Sequence, residues 1–149
     1  MTIKFKKFHE KAIIPRFGND DKSNAAVDLY ACLPYGIVTL APGESASISV
    51  GVGWEPCGGS KYAMLIQSRS GTAFKEGIEA SNAGVIDHSY RGEIKVKVYN
   101  NGKNLFTIEQ GNRIAQGIIL DLPYIKAIEE VAELGQTQRG NSGFGSTRK

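Results

Sequence analysis

The sequence predicts an all-β domain, a sandwich or barrel carrying one short helix and a flexible glycine-rich C-terminal arm. Three observations predict it. Apolar residues recur at every second position through successive short stretches, the signature of half-buried strands. Turn clusters such as Ala41-Pro42-Gly43-Glu44 and Asn100-Asn101-Gly102-Lys103 separate those stretches. Beyond Leu134 hydrophobic periodicity stops, and glycine and polar residues take over.

In chain order, "VDLYAC" from Val27 reads as a strand, with Asp28 on the polar side between Val27 and Leu29. "SASISVGVGW" reads as one strand that aligns Ala46, Ile48, Val50, Val52 and Trp54 on a single face. "KYAMLIQS" follows, and "GTAFKEG" after Arg69-Ser70 holds the one short helix. "EIKVKVYN" buries Ile94, Val96 and Val98 while Lys95 and Lys97 point away. "LFTI" and "RIAQGIIL" complete the strand set. "YIKAIEEVAEL" has apolar spacing close to that of a helix and is read as an extended arm. Many short strands at this spacing argue for a sandwich or barrel.

The bulk properties exclude several classes. With 149 residues, 41% hydrophobic and 22% charged, the chain suits one soluble domain that buries its core without disulfides or metal. Residues 1–134 are expected to form this core and 135–149 a flexible lid of the same domain. The net charge of +3 is mild, with lysines at Lys4, Lys6, Lys7, Lys11 and again at Lys95, Lys97, Lys103. They are too sparse, and too poor in interleaved aromatics, for a nucleic-acid groove, and they suit a solvated face or a small anionic substrate. No apolar run approaches a membrane span and no signal-peptide pattern follows Met1. Cys32 and Cys57 form no CxxC pair, and His9 and His88 make no metal cage with them. A reducing, cytoplasmic compartment is expected.

Five polar islands interrupt the strands. Asp28, read alone, is most simply an exposed strand carboxylate. "QSRSGTAF" sets Arg69 and Ser70 before Gly71 at a strand-to-helix junction, an anion site or a capped turn. "SNAGVIDHSYRGEIKV" places Asn82, Asp87 and Tyr90 around a hairpin whose Gly84 and Gly92 let a ligand approach the backbone. That group recognises a polar planar molecule and positions a water, or it is a surface hairpin with a satisfied Asp turn. His88 adjoins Asp87, but strand neighbours point to opposite faces, so the pair is rejected as a dyad and His88 is expected to face solvent. "GNRIAQGII" carries Arg113 and Gln116; Arg113 equally suits a structural ion pair. The tail "GQTQRGNSGFGSTRK" brings Arg139, Phe144, Gly145, Ser146 and Thr147. No Lys follows its glycines before Ser146-Thr147 and no helix is expected beyond, so it is not a Walker loop. Ordering ten such residues costs on the order of 10 kcal/mol of backbone entropy. It is either a disordered tail or a lid that closes over a ligand rich in contacts.

In order and spacing these islands resemble the five motifs of the trimeric dUTP pyrophosphatases. The most specific pieces are "GVIDHSYRGEIKV" and "RGNSGFGST", supported by "RSG" and "NRIAQ". The resemblance implies a jelly-roll fold and a homotrimer whose active sites are shared between subunits, the tail closing a neighbour's site. It implies hydrolysis of dUTP to dUMP and pyrophosphate through water attack at the α-phosphorus. Uracil would sit against Asn82, Gly84, Val85 and Ile86, Tyr90 against deoxyribose, and Phe144 over the base. Asp87 would hold the 3′-hydroxyl and orient the water. Arg69, Ser70 and Gln116 would meet the phosphates, with Arg139, Ser146 and Thr147 arriving from the lid, and Gly71 and Gly145 would also bind substrate. Mg²⁺ would ride on the triphosphate, with Asp28 organising it through water. The chain departs from the family pattern at Ala26, Thr72, Ser89, Asn112 and Arg148, none of which carries an assigned role. A dCTP deaminase needs a glutamate base at the pyrimidine, and the hairpin has none. A bifunctional deaminase–hydrolase, a non-catalytic nucleotide switch and a structural jelly roll are the other readings, and the last has no use for the polar islands.

Overall fold

Alternation in the sequence becomes alternation in burial. In the computed structural model, which describes residues 1–81 and 84–142, Ile94, Val96 and Val98 are all but inaccessible while Lys95 is exposed and Lys97 half-exposed. In chain order the strands are β1 (Thr2–Lys7), β2 (Arg16–Phe17), β3 (Ala26–Tyr30), β4 (Val38–Leu40), β5 (Ser45–Ser49) and β6 (Val52–Cys57). After β7 (Lys61–Gln67) comes helix α1 (Ser70–Glu76), then β8 (Ile78–Ser81), β9 (Val85–Ile86), β10 (Lys95–Asn100), β11 (Phe106–Ile108) and β12 (Arg113–Leu122). The predicted all-β class with one short helix is what forms. A five-stranded sheet runs β2-β3-β12-β7-β9 and a three-stranded sheet β5-β10-β8, with the pairs β1-β6 and β11-β4 beside them. Their pairings are antiparallel. Trp54, Leu29, Ile48, Met64, Ile94 and Ile108 fill the space between these layers.

The stretch read as one strand from Ser45 to Trp54 is two. β5 pairs with β10, whereas β6 pairs with β1. The break falls at Gly51, whose φ of +71° lies in the left-handed region that a side chain disfavours. A Cβ there would stand 2.6 Å from Cys32 Sγ and 2.7 Å from Ala12 Cβ. Ile94 bridges the gap, donating its N–H to the Val52 carbonyl (2.8 Å) and accepting from Val50 N–H (3.0 Å). Chain direction changes, yet Ile48, Val50, Val52 and Trp54 all still face the core, as their spacing predicts.

β1 was not anticipated, because its lysines dominate the sequence. Lys4 and Lys6 are solvent-exposed as expected, but they alternate with Ile3 and Phe5, which pack on the core. The turn before Lys103 rests on Asn100, fully buried, whose amide donates to the carbonyls of Leu40 and Asn104, both at 2.8 Å. Helix α1 ends on Gly77 at φ +71°, in a left-handed cap. Both cysteines are free, Cys32 buried and Cys57 half-buried. Burial pushes the Cys32 thiol above its ordinary value, so it behaves as a neutral core residue. No helix among the described residues is long and apolar enough to cross a membrane.

After Leu122 the described chain has neither helix nor strand and runs exposed to residue 142. The ambiguous "YIKAIEEVAEL" is therefore not helical. Its Tyr124, Ile128 and Leu134 are 91%, 93% and 86% exposed.

Gly51→Ala should lower stability by roughly 2–4 kcal/mol, the sum of a strained backbone and an overpacked contact. Urea unfolding followed by circular dichroism measures it; a loss below about 0.5 kcal/mol would contradict the account of the break.

Candidate functional site

A bulge in β12 brings the polar residues of the large sheet to one face. Arg113 and Gln116 are three positions apart, so a regular strand would send them to opposite sides. Register against β3 runs Arg113↔Tyr30, then Ala115↔Leu29 and Gln116↔Asp28, with one extra residue inserted. The insertion returns Gln116 to the side that Arg113 occupies, opposite Tyr30 and Asp28. Ile114 and Ala115 are both buried, as a bulge at that point requires.

Asp28 is not the exposed carboxylate expected from its strand alone; the residue is 8% exposed. Its Oδ1 stands 3.4 Å from Arg69 Nε and its Oδ2 3.4 Å from Arg113 Nη1. Arg69 also reaches the Arg113 carbonyl at 3.4 Å. Gln116 donates its amide to the Ser68 carbonyl at 3.1 Å, tying β12 to the segment that leads into α1. Arg69 is the N-cap of that helix, and Thr72 Oγ1 donates to its carbonyl at 3.1 Å. The first-turn N–H groups that follow lack intrahelical acceptors, as in any helix. These groups surround an open cavity of about 290 Å³ lined by Asp28, Arg69, Ser70, Gly71, Arg113 and Gln116. The cavity brings together all the residues expected at the phosphates from the first, second and fourth islands. Gly18, Asn24 and Ala26 also line it. Asn24 donates to the Gly18 carbonyl at 2.8 Å and lies in a stretch without periodicity, where no sequence signal marked it.

The third island forms a second, separate concavity of about 240 Å³ lined by Val85, Ile86, Asp87, Tyr90 and Glu93 among others. The expected hairpin is corrected here: β8 pairs with β10, whereas β9 pairs with β7, so its two arms belong to different sheets. Asp87 is exposed, and its carbonyl accepts from Tyr90 N–H at 3.1 Å and from Trp54 Nε1 at 3.2 Å. Tyr90 is 45% exposed and its hydroxyl donates to the Glu93 carbonyl at 3.0 Å. Gly92 does not open the backbone to a ligand as expected, because a Cβ there would strike the Tyr90 ring and hydroxyl. Gly84 and Gly71 do have open space where a Cβ would lie. His88 is not solvent-facing: it is half-buried, stacks on Tyr62 at 6.2 Å between ring centroids, and accepts Tyr62 N–H on Nδ1 at 3.1 Å. A neighbouring strand supplied a partner that local alternation does not reveal.

The two concavities share no lining residue among those described. Arg139 is on the exposed arm, its Nε donating to the Ser142 carbonyl at 2.9 Å, and it meets neither cavity. Asn82, Phe144, Gly145, Ser146 and Thr147 lie outside the described residues. Of the departures from the family pattern, Asn112 closes its own turn by accepting Glu109 N–H at 2.9 Å.

A family model described as dUTPase matches residues 11–148 of the chain. The deoxyuridine 5′-triphosphate nucleotidohydrolase of Nautilia profundicola is 42% identical over 151 residues, covering 100% of both chains. The dUTPase of Staphylococcus bacteriophage 80alpha, solved with dUPNHPP, superposes with a TM-score of 0.78 at 26% identity, covering 98% of each chain. A point mutant of that phage enzyme superposes with a TM-score of 0.83 at 25% identity over the same shares.

Proposed function

The chain belongs to the dUTPase family, and from that premise we propose that it hydrolyses dUTP to dUMP and pyrophosphate by attack of water at the α-phosphorus. The reaction keeps uracil out of DNA and supplies dUMP for thymidylate synthesis. One observation carries the assignment of residues. Within one chain, Asp28, Arg69, Ser70, Gly71, Arg113 and Gln116 line one cavity while Val85, Ile86, Asp87 and Tyr90 line another, and this separation supports a site completed between subunits.

The active form is a homotrimer in which one subunit's Asp28, Arg69, Ser70, Gly71, Arg113 and Gln116 meet another subunit's Asn82, Gly84, Val85, Ile86, Asp87 and Tyr90. Residues 1–134 act as the core. Residues 135–149 act as the lid, bringing Arg139, Phe144, Gly145, Ser146 and Thr147 to a neighbour's site. The apolar side chains of the arm, Tyr124, Ile128 and Leu134, support this reading, since such surface is ordinarily covered. Substrate and trimer are the expected partners, in the cytoplasm, without nucleic acid or membrane.

In this reading Arg69 meets the phosphates directly, with Ser70 and Gly71 beside it at the helix start. The exposed Asp87 carboxylate holds the 3′-hydroxyl and aligns the water, and the free face of Tyr90 packs on deoxyribose. A carboxylate is a weak base at neutral pH, so alignment and charge neutralisation carry most of the acceleration. Fixed polar groups around uracil discriminate because a wrong base leaves them unpaired. The residues fit Mg²⁺ carried by the triphosphate and not by a protein cage. Asp28, the carboxylate of the cradle, is already shared by two guanidinium groups. Asp28 would therefore reach the ion through water, and the bound ion supplies neutralisation of the phosphate charge.

Incubation with dUTP, dCTP, dTTP and UTP in Mg²⁺, following pyrophosphate and ammonia separately, tests the reaction. Only dUTP should be consumed, without ammonia; ammonia from dCTP would point to the deaminase instead. Asp87→Asn should keep nucleotide affinity while kcat falls by about 10² or more, and unchanged turnover refutes the role given to Asp87. Truncation after Leu134 should leave a folded trimer by light scattering with little activity. Normal hydrolysis by the truncated protein would remove the lid from the mechanism.

A further inference from the structure

The chain has one tryptophan, and it is tied to the turn that carries Asp87. Trp54 lies on β6 at 1% exposure. An indole N–H taken this far from water needs an acceptor, because leaving it unpaired costs most of its desolvation. The acceptor is the Asp87 main-chain carbonyl, 3.2 Å from Nε1. The same oxygen takes the Tyr90 N–H at 3.1 Å, so both of its lone pairs are used. A single carbonyl thus closes the turn from Asp87 to Tyr90 and fastens it to the core.

The surroundings make the fastening specific. At the adjacent Gly53 a Cβ would stand 2.9 Å from the Gly92 carbonyl and 3.0 Å from that of Arg91, so the far end of the turn lies directly on β6. Phe5 of β1 is opposite Trp54 in register. On the other flank His88 is fixed to Tyr62 of β7. Asp87 is exposed, and its side chain makes no hydrogen bond or ion pair with the described residues. The path of its backbone therefore sets the direction of its Cα–Cβ bond, and with it the range of positions the carboxylate can reach.

We propose that Trp54 is a positioning residue for the reaction: its indole N–H holds the Asp87 carbonyl and so fixes the Asp87 carboxylate and the Tyr90 ring toward the bound nucleotide. This rests on the roles given to Asp87 and Tyr90 above. Trp54 touches neither substrate nor water. Its effect belongs in kcat, since a misaligned carboxylate still binds nucleotide but holds the water poorly.

The full-length protein permits a clean test. Because Trp54 is the single tryptophan, biosynthetic replacement of tryptophan by benzothienylalanine changes this position alone. It keeps the ring's shape and exchanges the N–H for sulfur. With dUTP and Mg²⁺ the substituted protein should show kcat reduced about three- to tenfold and KM changed less than about twofold. Trp54→Phe should show at least as large a fall in kcat, with a lower melting temperature from lost packing. A benzothienylalanine protein that keeps the parent kcat overturns the inference, whatever happens to KM or to melting, because the ring would then serve packing alone. A parent protein that does not hydrolyse dUTP fails at an earlier stage and removes the functional reading itself.

Discussion

The Asp28 carboxylate, nearly buried and shared by two guanidinium groups, is the interaction on which the cationic cradle depends. It belongs to β3, Arg69 to the entry of α1, and Arg113 to the start of β12, so one side chain joins three pieces of the fold. A carboxylate at that depth needs compensation, because removing it from water costs several kcal/mol unless charges and donors replace the solvent. The contacts at 3.4 Å are long for hydrogen bonds, and much of Arg113 remains exposed. The arrangement is therefore weak evidence for stability and better evidence for orientation. Two positive groups against one negative leave a surplus that suits a polyanion, while the carboxylate keeps the guanidinium groups from splaying apart. Gln116 reinforces the same geometry through the Ser68 carbonyl.

That geometry also separates the features legible in the sequence from those set by contacts made only in the fold. Strands with plain alternation, such as the one burying Ile94, Val96 and Val98, were legible because burial on one face leaves a period of two. The short helix after Arg69-Ser70 was legible for equally local reasons, whereas its left-handed end at Gly77 emerges only in the structure. The jelly roll and the roles of Asp87 and Gln116 came from resemblance to a family, not from periodicity. The bulge between Arg113 and Ala115 was not legible, since an inserted residue leaves no composition signal and defeats the parity rule. Asp28 read as exposed because its partners lie 41 and 85 positions away in sequence. β1 was hidden by its lysines, and the break at Gly51 by an alternation that continues through it. His88 read as solvent-facing because its partner, Tyr62, sits on another strand. For Asp28 and His88, a contact distant in sequence overrides a local preference.

The separation of cradle and turn explains the shape of the rest of the chain. A single jelly roll of this size spends its interior on packing, with Trp54, Leu29, Ile48 and Met64 filling the core. The polar groups of the candidate site collect instead at the sheet surface and at the turn after β9. Bringing such surfaces together between copies creates a cleft without opening the core. The exposed apolar residues of the arm fit the same logic, because an arm without a ladder gains stability chiefly by laying side chains on another surface.

In the proposed shared site, assembly from several chains would raise a problem of precision that the proposed tether to Trp54 would address. Rigid-body uncertainty between subunits adds to any looseness within each one, while alignment of a water must hold to within about 0.5 Å. In the role proposed for it, Asp87 must remain open to substrate and so has no buried side-chain network to rely on. Fixing its carbonyl to a fully packed indole, and its neighbour His88 to β7, transfers the rigidity of the core to an exposed group. The cost is small: the indole N–H required an acceptor in any case, and the turn required a partner for its carbonyl. One hydrogen bond satisfies both needs, and it lets an open turn present a carboxylate with the order of the core beneath it.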